Sequence, residues 1–147
     1  MRIYLDTCCY NRPFDDNTQM NINLEAISVL YIQEKVKEGL YELVWSFILD
    51  YENNINPSTD NRHNIQNWEN HSNHFCQLSG LILKKAENIE KYGIHQRDAL
   101  HIACALSCEC EFFITTDYNL LKKGKGFKKL KIINPIDFIR EEKNNEI

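Results

Sequence analysis

The sequence predicts an α/β fold in which helices cover both faces of a parallel sheet. Short apolar runs alternate along the chain with longer segments whose apolar residues recur at helical spacing. Several of the short runs are apolar at nearly every position, as is typical of parallel strands that are buried on both faces. The chain has 147 residues, of which 43% are hydrophobic and 26% charged, so it is long enough for one domain with a substantial core.

Five short apolar runs account for the predicted strands. They are residues 2–6, 41–45, 75–78, 112–115 and 130–133. The predicted helices are residues 18–38, 46–52, 64–74, 79–92, 98–106 and a terminal helix from residue 134. Ser46 and Ser79 are suitable N-cap residues, and Gly39 and Gly93 each follow the end of a helix. The polar stretch around Pro57 is expected to be a helix end and a loop.

The length, the apolar content and the net charge of the chain indicate where it works and which partners it has. We expect residues 1–140 to form a single domain and residues 141–147 to form a frayed tail. No apolar stretch is long enough for a bilayer, and the first residues lack the apolar region of a signal peptide. We therefore expect a cytoplasmic chain with no membrane partner and six reduced cysteines. The net charge of −4 argues against a generic nucleic-acid binder.

Four acidic residues stand close to where predicted strands end or the next helices begin. Asp6 follows the first strand, and Glu52 lies on the helix after the second strand. Asp98 begins the most apolar helix, and Asp117 follows the fourth strand. Because ligands bind beyond the carboxyl ends of parallel strands, we expect these side chains to gather at one edge of the sheet. Each acid alone could equally form a turn, cap a helix or lie on the surface.

Four converging carboxylates predict a metal site. Like charges repel at short range, so the cluster is costly without a cation, and carboxylate oxygens suit Mg²⁺ and Mn²⁺. A cation held there could activate water and stabilise the charge that develops on a phosphate during displacement. No glycine-rich phosphate loop or Ser/His/Asp order offers a competing chemistry. Asp50 is the alternative to Glu52 as the acid on this helix. Only one of them can face the site, because residues two apart on a helix do not share a face.

Four motifs together resemble those of PIN-domain nucleases, which include the VapC-type ribonuclease toxins. They are RIYLDT from Arg2, the S-x5-E spacing of Ser46 to Glu52, DALHIACA from Asp98, and FFITTD ending at Asp117. Their order and spacing match across residues 2–140. The resemblance implies a three-layer α/β/α sandwich with a central, mainly parallel sheet of about five strands. One departure is Cys8, where family members often have Asn or Ser.

The same resemblance implies an activity, a cofactor and partners. It implies an Mg²⁺- or Mn²⁺-dependent endoribonuclease whose catalytic and metal-site acids are Asp6, Glu52, Asp98 and Asp117. Thr7 and Thr116 are the implied supporting hydroxyls, which would orient an acid, a metal-bound water or a phosphate. Many members are toxins of bacterial toxin–antitoxin pairs. The implied partners are therefore an RNA substrate, a cognate antitoxin protein and a second copy of the chain in a homodimer.

A lysine-rich segment is the candidate surface for nucleic acid. The segment KKGKGFKKLK, residues 122–131, contains six lysines and follows the fourth acid. It could be a basic loop that contacts the RNA backbone, or a solvated loop that keeps the chain soluble. Because the rest of the chain is acidic, we predict contacts at Lys122, Lys123, Lys125 and also Arg12. Tyr10, Phe14 and Arg97 could also contact RNA, although ordinary packing explains them equally well.

Two other classes of protein fit part of the pattern. A non-catalytic PIN-fold module that binds nucleic acid or protein would have the same acids but would not cleave RNA. A phospho-acceptor receiver domain is also doubly wound and acidic, but the spread of these acids over four segments favours the nuclease. His101 lies one helical turn after Asp98, and we expect a packed helix histidine there rather than an acid–base group.

Overall fold

The first strand of the chain lies in the middle of the sheet. A computed structural model describes residues 1–145. Its strands are β1 (Arg2–Leu5), β2 (Glu42–Ser46), β3 (His74–Cys76), β4 (Phe112–Ile114) and β5 (Lys131–Ile133). They are ordered β3-β2-β1-β4-β5, and all neighbouring pairs are parallel. The predicted parallel sheet of about five strands is therefore confirmed.

The described residues contain eight α-helices. They are α1 (Thr7–Asn11), α2 (Met20–Lys37), α3 (Phe47–Asn54), α4 (Thr59–Gln66), α5 (Gly80–Glu90), α6 (Gln96–Ser107), α7 (Tyr118–Gly124) and α8 (Pro135–Asn145). Ser46, Ser58 and Ser79 each cap a helix by accepting a hydrogen bond from the backbone N–H three residues later. None of the helices within residues 1–145 has both the length and the apolar character needed to cross a membrane.

Helices cover both faces of the sheet, as the sequence predicts. Ile3, Tyr4 and Leu5 point alternately to opposite faces of β1, yet all three are fully buried. Residues 43–45 of β2 are fully buried in the same way. Burial of each large apolar side chain contributes about 1.5–3 kcal/mol to the stability of the fold. The two central strands are therefore stably packed and hold the loops that follow them in place. The three-layer α/β/α arrangement is thus confirmed.

The strand order places two loop starts side by side at the carboxyl edge of the sheet. The strand β2 pairs with one side of β1, and β4 pairs with the other side. Ligands of open α/β sheets bind where neighbouring loops diverge in this way. The Asp6 N–H donates to the Ile114 carbonyl oxygen at 3.0 Å, and the Thr115 N–H donates to the Ile133 carbonyl oxygen at 2.9 Å. These bonds fix Asp6 and Thr115 at adjacent strand ends.

Two helices differ from the sequence prediction. The helix α1 was not predicted, because five residues are too few to show an apolar period. It forms directly after β1, where the Asp6 side chain accepts a hydrogen bond from the Thr7 N–H. The helix α4 begins at Thr59, five residues before the predicted start at residue 64, and ends at Gln66. Ser58 provides the cap that fixes this earlier start. The prediction of helix as far as residue 74 is wrong, because Asn67–His71 form a 3₁₀ helix and β3 begins at His74.

The chain remains helical beyond residue 140. The last helix, α8, ends at Asn145 and so enters the segment 141–147, for which the sequence predicts a frayed tail. Residues 146 and 147 lie outside the described residues. The division into a domain of residues 1–140 and a tail of residues 141–147 stays a prediction.

All six cysteines are free thiols. Cys104 is fully buried and Cys108 packs against the core, in agreement with their helical spacing. Cys9 is also fully buried, and burial raises the pKa of its thiol well above the usual value. A thiol with a raised pKa is a poor nucleophile, so Cys9 serves packing rather than chemistry.

Candidate metal centre

Asp6, Glu52 and His101 meet at the carboxyl edge of the sheet. One ligand atom from each residue lies within 4.8 Å of those of the other two. Asp6 follows β1, Glu52 lies on α3 and His101 lies on α6, so the fold unites three distant segments of sequence. Asp6 and His101 are buried, and Glu52 is half-buried. The arrangement brings two carboxylates and an imidazole into one small volume.

The Asp6 carboxylate is held by donors on both of its oxygens. Its Oδ1 accepts from the Thr7 N–H at 2.8 Å, and its Oδ2 accepts from the Thr115 hydroxyl at 2.8 Å. The Cys8 Sγ lies 3.5 Å from Oδ2 and 3.3 Å from the Thr115 hydroxyl oxygen. Cys8, the departure from the family pattern, thus contacts the first acid directly. Because hydrogen bonds fix its orientation, Asp6 needs little reorganisation to act as a ligand.

Glu52 accepts two short hydrogen bonds at one oxygen. Its Oε1 accepts from the Thr7 hydroxyl at 2.6 Å and from His101 Nε2 at 2.5 Å, while Oε2 lies 3.8 Å from Arg97 Nη1. Burial raises the pKa of Glu52, but the bond from His101, the positive charges of His101 and Arg97 and the bond from Thr7 outweigh it. The net effect lowers the pKa. Glu52 is therefore ionised at neutral pH.

Asp50 is bound to other partners on the same helix. Its Oδ1 accepts from the indole N–H of Trp45 at 2.8 Å and from the side-chain N–H of Gln66 at 2.8 Å. These bonds connect α3 to β2 and α4 rather than to the acidic cluster. The geometry therefore favours Glu52 over Asp50 as the helix acid.

Asp98 experiences the charges of the other three acids. Its pKa is raised to about 6, chiefly by burial and further by the charges of Asp6, Asp117 and Glu52, while His101 opposes the shift. Such charge effects act at short range, so the four predicted acids belong to one electrostatic cluster. A strongly perturbed carboxyl group with named charged neighbours is typical of a functional site.

Asp117 combines two roles that the sequence left open. It is the N-cap of α7, and its Oδ1 accepts from the N–H groups of Asn119 at 3.0 Å and Leu120 at 3.2 Å. Its charge also contributes to the raised pKa of Asp98. Capping therefore holds the carboxylate at the edge of the cluster instead of removing it from the site.

His101 is a site residue that the sequence prediction undervalued. It is packed, as expected, with 1% of its surface exposed, but both ring nitrogens are engaged. Nε2 bonds Glu52 and lies 3.7 Å from Asp6 Oδ1, and Nδ1 is 2.6 Å from the Tyr4 hydroxyl oxygen. Burial lowers the pKa of His101, but the bond to Glu52 and the charges of Asp6, Glu52 and Asp98 raise it more. A protonated His101 thus places positive charge among the acids.

Thr115, rather than Thr116, supports the acids. The Thr115 hydroxyl donates to Asp6 and accepts from the Asp117 N–H at 3.1 Å, so it connects two of the four acids. The Thr116 hydroxyl instead accepts from Arg12 Nη2 at 3.0 Å. Successive side chains at a strand end point in opposite directions, and the sequence Thr-Thr does not reveal which one faces the site. The other implied hydroxyl, that of Thr7, does contact an acid.

Arg12 is bound within the fold. Its Nε lies 3.2 Å from Glu25 Oε1, its Nη1 lies 3.0 Å from Asp15 Oδ2, and its Nη2 donates to Thr116. Only 18% of its side chain is exposed. Glu25 is itself fully buried, so breaking this pair would leave an uncompensated charge. Contact between Arg12 and RNA stays a prediction, but the guanidinium already has three protein partners.

The lysine-rich segment lies away from the acids. Lys122 and Lys123 occupy the last turn of α7, which begins at the carboxyl edge. The chain then reaches Lys131, which pairs with Phe112 at the start of β4. Strand starts lie at the opposite edge from strand ends, so the loop that contains Lys125 approaches that opposite edge. The end of the segment thus approaches the edge opposite the acids, and contact between these lysines and RNA stays a prediction.

The donor set fits a hard divalent cation. Asp6 and Glu52 present carboxylate oxygens close together, and His101 could join them as a Mn²⁺ ligand only in its neutral form, with Nε2 released from Glu52. Burial and, after it, repulsion by Asp6, Asp117 and Glu52 raise the pKa of Asp98, and a cation would relieve the repulsion. Asp6, Glu52, Asp98 and Asp117 could therefore hold a metal ion at this edge.

The sequence matches no known family model and no curated protein. Several solved structures share its fold, among them two VapBC assemblies. The crystal structure of VapBC2 from Rickettsia felis bound to a DNA fragment from their promoter matches with a TM-score of 0.56 and 14% identity, over 91% of this chain and 98% of the matched chain. The structure of VapBC-1 from nontypeable Haemophilus influenzae matches with a TM-score of 0.52 and 17% identity, over 92% and 98%. At such low identity the likeness shows the fold alone. The chain therefore has the PIN-type α/β fold that its four motifs resemble.

Proposed function

We propose that this chain is a metal-dependent endoribonuclease that hydrolyses RNA phosphodiester bonds, and that it is the toxin of a bacterial toxin–antitoxin pair. The observation that carries the proposal is the meeting of Asp6, Glu52 and His101 at the carboxyl edge of the sheet. Burial, together with the charges of Asp6, Asp117 and Glu52, raises the pKa of the neighbouring Asp98 to about 6. Mg²⁺ or Mn²⁺ would be held there by Asp6, Glu52, Asp98 and Asp117.

The residues around the acids prepare the site for this chemistry. A bound Mg²⁺ or Mn²⁺ ion would supply Lewis acidity and lower the pKa of a coordinated water. Thr7 and Thr115 hold the carboxylates of Glu52 and Asp6 in fixed orientations, which limits reorganisation during the reaction. Nε2 of His101 donates a hydrogen bond to the Glu52 carboxylate, and a protonated His101 would balance part of the negative charge. The site is thus oriented before substrate arrives.

The toxin assignment draws on the two solved structures with the same fold. Both are VapBC assemblies, and one is bound to DNA from their promoter. By analogy we propose a cognate antitoxin protein and a homodimer for this chain. An exposed apolar stripe along α2 supports the presence of a protein partner, because such surfaces mark interaction sites. The stripe consists of Met20, Leu24, Ile27 and Tyr31, at the spacing of one helix face.

The alternative is a non-catalytic PIN-fold module that binds nucleic acid or protein. One observation favours it. His101 Nε2 lies 2.5 Å from Glu52 Oε1, so a protonated His101 would partly neutralise the acids without a metal ion. Binding assays and cleavage assays on the same preparation separate the two functions.

RNA cleavage by the purified chain tests the proposed function. Cleavage should require Mg²⁺ or Mn²⁺ and should stop when a chelator removes the ion. Asp6→Asn and Asp117→Asn should each reduce the rate at least about 100-fold with unchanged circular dichroism, since asparagine also caps helices well. Full activity of both variants in the presence of metal would exclude this site. RNA binding without any cleavage by the wild-type chain would favour the non-catalytic module.

Removal of the Thr115 hydroxyl should weaken both the site and the fold. Thr115→Val deprives Asp6 of a donor and leaves the Asp117 N–H unpaired, so we expect a loss of about 1–3 kcal/mol in the free energy of unfolding. The cleavage rate should fall about 10- to 100-fold, as for residues that orient metal ligands. Thr116→Val is the matched control and should keep most activity. Equal rates for Thr115→Val and wild type would contradict this role.

A further inference from the structure

A groove of about 760 Å³ lies between α5 with the turn that follows it, the end of α6 and the lysine-rich segment. Its walls are apolar and come from all three parts of the chain, namely Leu81, Ile89, Tyr92, Leu106 and Phe127. Small-molecule sites in proteins have this character and enclose about 300–1,000 Å³. The lining includes neither the acids of the cluster nor His101, so the groove is a separate feature of the fold.

One side of α5 and a buried phenylalanine give the groove its elongated shape. Leu81, Lys85 and Ile89 follow one another at intervals of four residues and therefore line one side of the helix. At about 1.5 Å per residue this stretch is about 12 Å long. Phe127, in the middle of the lysine-rich segment, is buried, and its ring meets the Tyr92 ring edge-to-face with 5.3 Å between centroids. The segment is thus held along the groove by its one aromatic residue.

The charge around the groove is entirely positive among the described residues that line it. Four lysines belong to the lining, and none of those residues is acidic; the lysines are Lys84, Lys85, Lys91 and Lys129. The Lys85 amine donates to the Ser107 hydroxyl at 3.1 Å, while Lys84 and Lys129 are exposed. Because the whole chain has a net charge of −4, this positive margin is a local excess. It attracts an anionic group.

The polar side chains of the groove suit a hydrocarbon chain better than a base or a sugar. Bases and sugars are recognised by several placed donors and acceptors. Among the described lining residues, the lysine amines and the Tyr92 hydroxyl are joined by one further polar side chain, Asn88. Its Oδ1 already accepts from the Lys91 amine at 3.4 Å. The lysine stems add methylene surface to the walls, so the groove offers a long apolar surface with cations at its margin.

We propose that this groove binds a linear anionic amphiphile of the fatty-acid class. The hydrocarbon chain lies along α5 against Leu106 and Phe127, and the carboxylate pairs with the lysine amines. The proposal assigns the end of the lysine-rich segment to a ligand site, since Phe127 and Lys129 both line the groove. It does not depend on the proposed ribonuclease function, because the acidic cluster contributes nothing to this surface.

Isothermal titration of the wild-type chain with sodium dodecanoate, below its micellar concentration, tests the proposal. We expect one saturable site per chain and a negative heat-capacity change, the signature of apolar burial. Affinity should rise about 2- to 4-fold for each methylene added between octanoate and dodecanoate. Added salt should weaken binding, because the lysines are exposed to solvent. Dodecyltrimethylammonium has the same chain with the opposite charge and should bind at least about 10-fold more weakly.

Charge reversal at the margin separates this site from general attraction to a basic segment. Lys84→Glu combined with Lys129→Glu should weaken dodecanoate binding at least about 10-fold, since attraction becomes repulsion at two exposed positions. Lys122→Glu combined with Lys123→Glu is the matched control, because it makes the same change of charge at exposed lysines outside the groove. It should stay within about 3-fold of the wild type. Tyr92→Ser, which removes part of one wall, should weaken binding about 3- to 10-fold.

Four results would overturn the proposal. They are the absence of saturable dodecanoate binding, equal affinity for the cationic amphiphile, equal losses for the two double variants, and binding that does not change with chain length. Analytical ultracentrifugation provides a further test. If Lys84→Glu with Lys129→Glu converts a dimeric wild type to a monomer while dodecanoate leaves the wild type unchanged, a second copy of the chain occupies the groove, and the proposal is wrong.

Discussion

Asp98→Asn should make the metal-free protein more stable at neutral to alkaline pH and should abolish RNA cleavage. The two effects have one cause, the crowding of Asp98 by burial and by the charges of Asp6, Asp117 and Glu52. Asparagine removes the negative charge and keeps nearly the same shape. It therefore relieves the repulsion that a bound cation would otherwise relieve, and it removes a proposed ligand of that cation.

The pH dependence of this stabilisation follows from the raised pKa of Asp98. The carboxyl group has its ordinary pKa of 3.8 in the unfolded chain and a pKa of about 6 in the folded protein. Below about pH 4 both states are protonated and Asp98 costs no stability. As pH rises to about 6 the unfolded state ionises first, so the folded state becomes less stable, and above about pH 6 the full cost remains. Asp98→Asn should therefore equal the wild type near pH 4 and exceed it near pH 8.

Denaturant unfolding of the metal-free protein measures the effect. The side chain is partly exposed and its charge favours the start of α6, so we expect a net gain of only about 1 kcal/mol. This corresponds to about 3 °C in melting temperature. Saturating Mn²⁺ should reverse the order, since the wild type binds the ion more tightly. Asp60→Asn, at an exposed acid in the first turn of α4, should change neither property. A less stable Asp98→Asn protein near pH 8 would contradict the crowding of the four acids.

Glu52→Gln and Asp50→Asn should have opposite consequences for activity. The two acids lie two residues apart on α3, and each substitution removes one negative charge. Glu52 contacts Thr7 and His101 in the acidic cluster, whereas Asp50 accepts from Trp45 and Gln66. Glu52→Gln should reduce the cleavage rate at least about 100-fold, because a charged metal ligand is lost. Asp50→Asn keeps an oxygen that accepts both hydrogen bonds and should remain active.

Single-turnover cleavage at saturating enzyme separates the two variants from effects on RNA binding. Both should remain folded by circular dichroism, and their unfolding transitions identify any loss that arises from instability. If Asp50→Asn is inactive and Glu52→Gln is active, the helix acid is Asp50 and the motif spacing has been misread. Equal loss in both folded variants would show that charge on α3 matters without a specific ligand.

Local patterns account for most of the fold. The apolar runs that became β1 and β2 are buried on both faces, and such runs identify parallel strands without knowledge of any contact. Ser46 and Ser79 cap helices where the sequence predicts them. The helix α1 escaped prediction because its start depends on the Asp6 side chain and its length gives no apolar period. An apolar pattern that repeats can be recognised in the sequence, whereas a helix that depends on one capping side chain is harder to predict.

The details of the site depend on geometry that one sequence cannot supply. The order and spacing of the motifs predict the four acids, and the structure brings Asp6 and Glu52 together with His101. The choice between Thr115 and Thr116 depends on which side of a strand end faces Asp6, and His101 gains its role from contact with Glu52 across α3 and α6. The lysine-rich segment follows the fourth acid in sequence, yet the chain direction of β5 takes it toward the opposite edge.

The most direct test of the central claim is Mn²⁺ binding by the purified chain, measured by electron paramagnetic resonance of the free ion. We predict saturable binding by the wild type and by Asp50→Asn, and at least about 10-fold weaker binding by Glu52→Gln and Asp98→Asn. Mg²⁺ should compete for the same site. Equal Mn²⁺ affinity for the wild type, Glu52→Gln and Asp98→Asn would contradict a metal centre formed by the four acids.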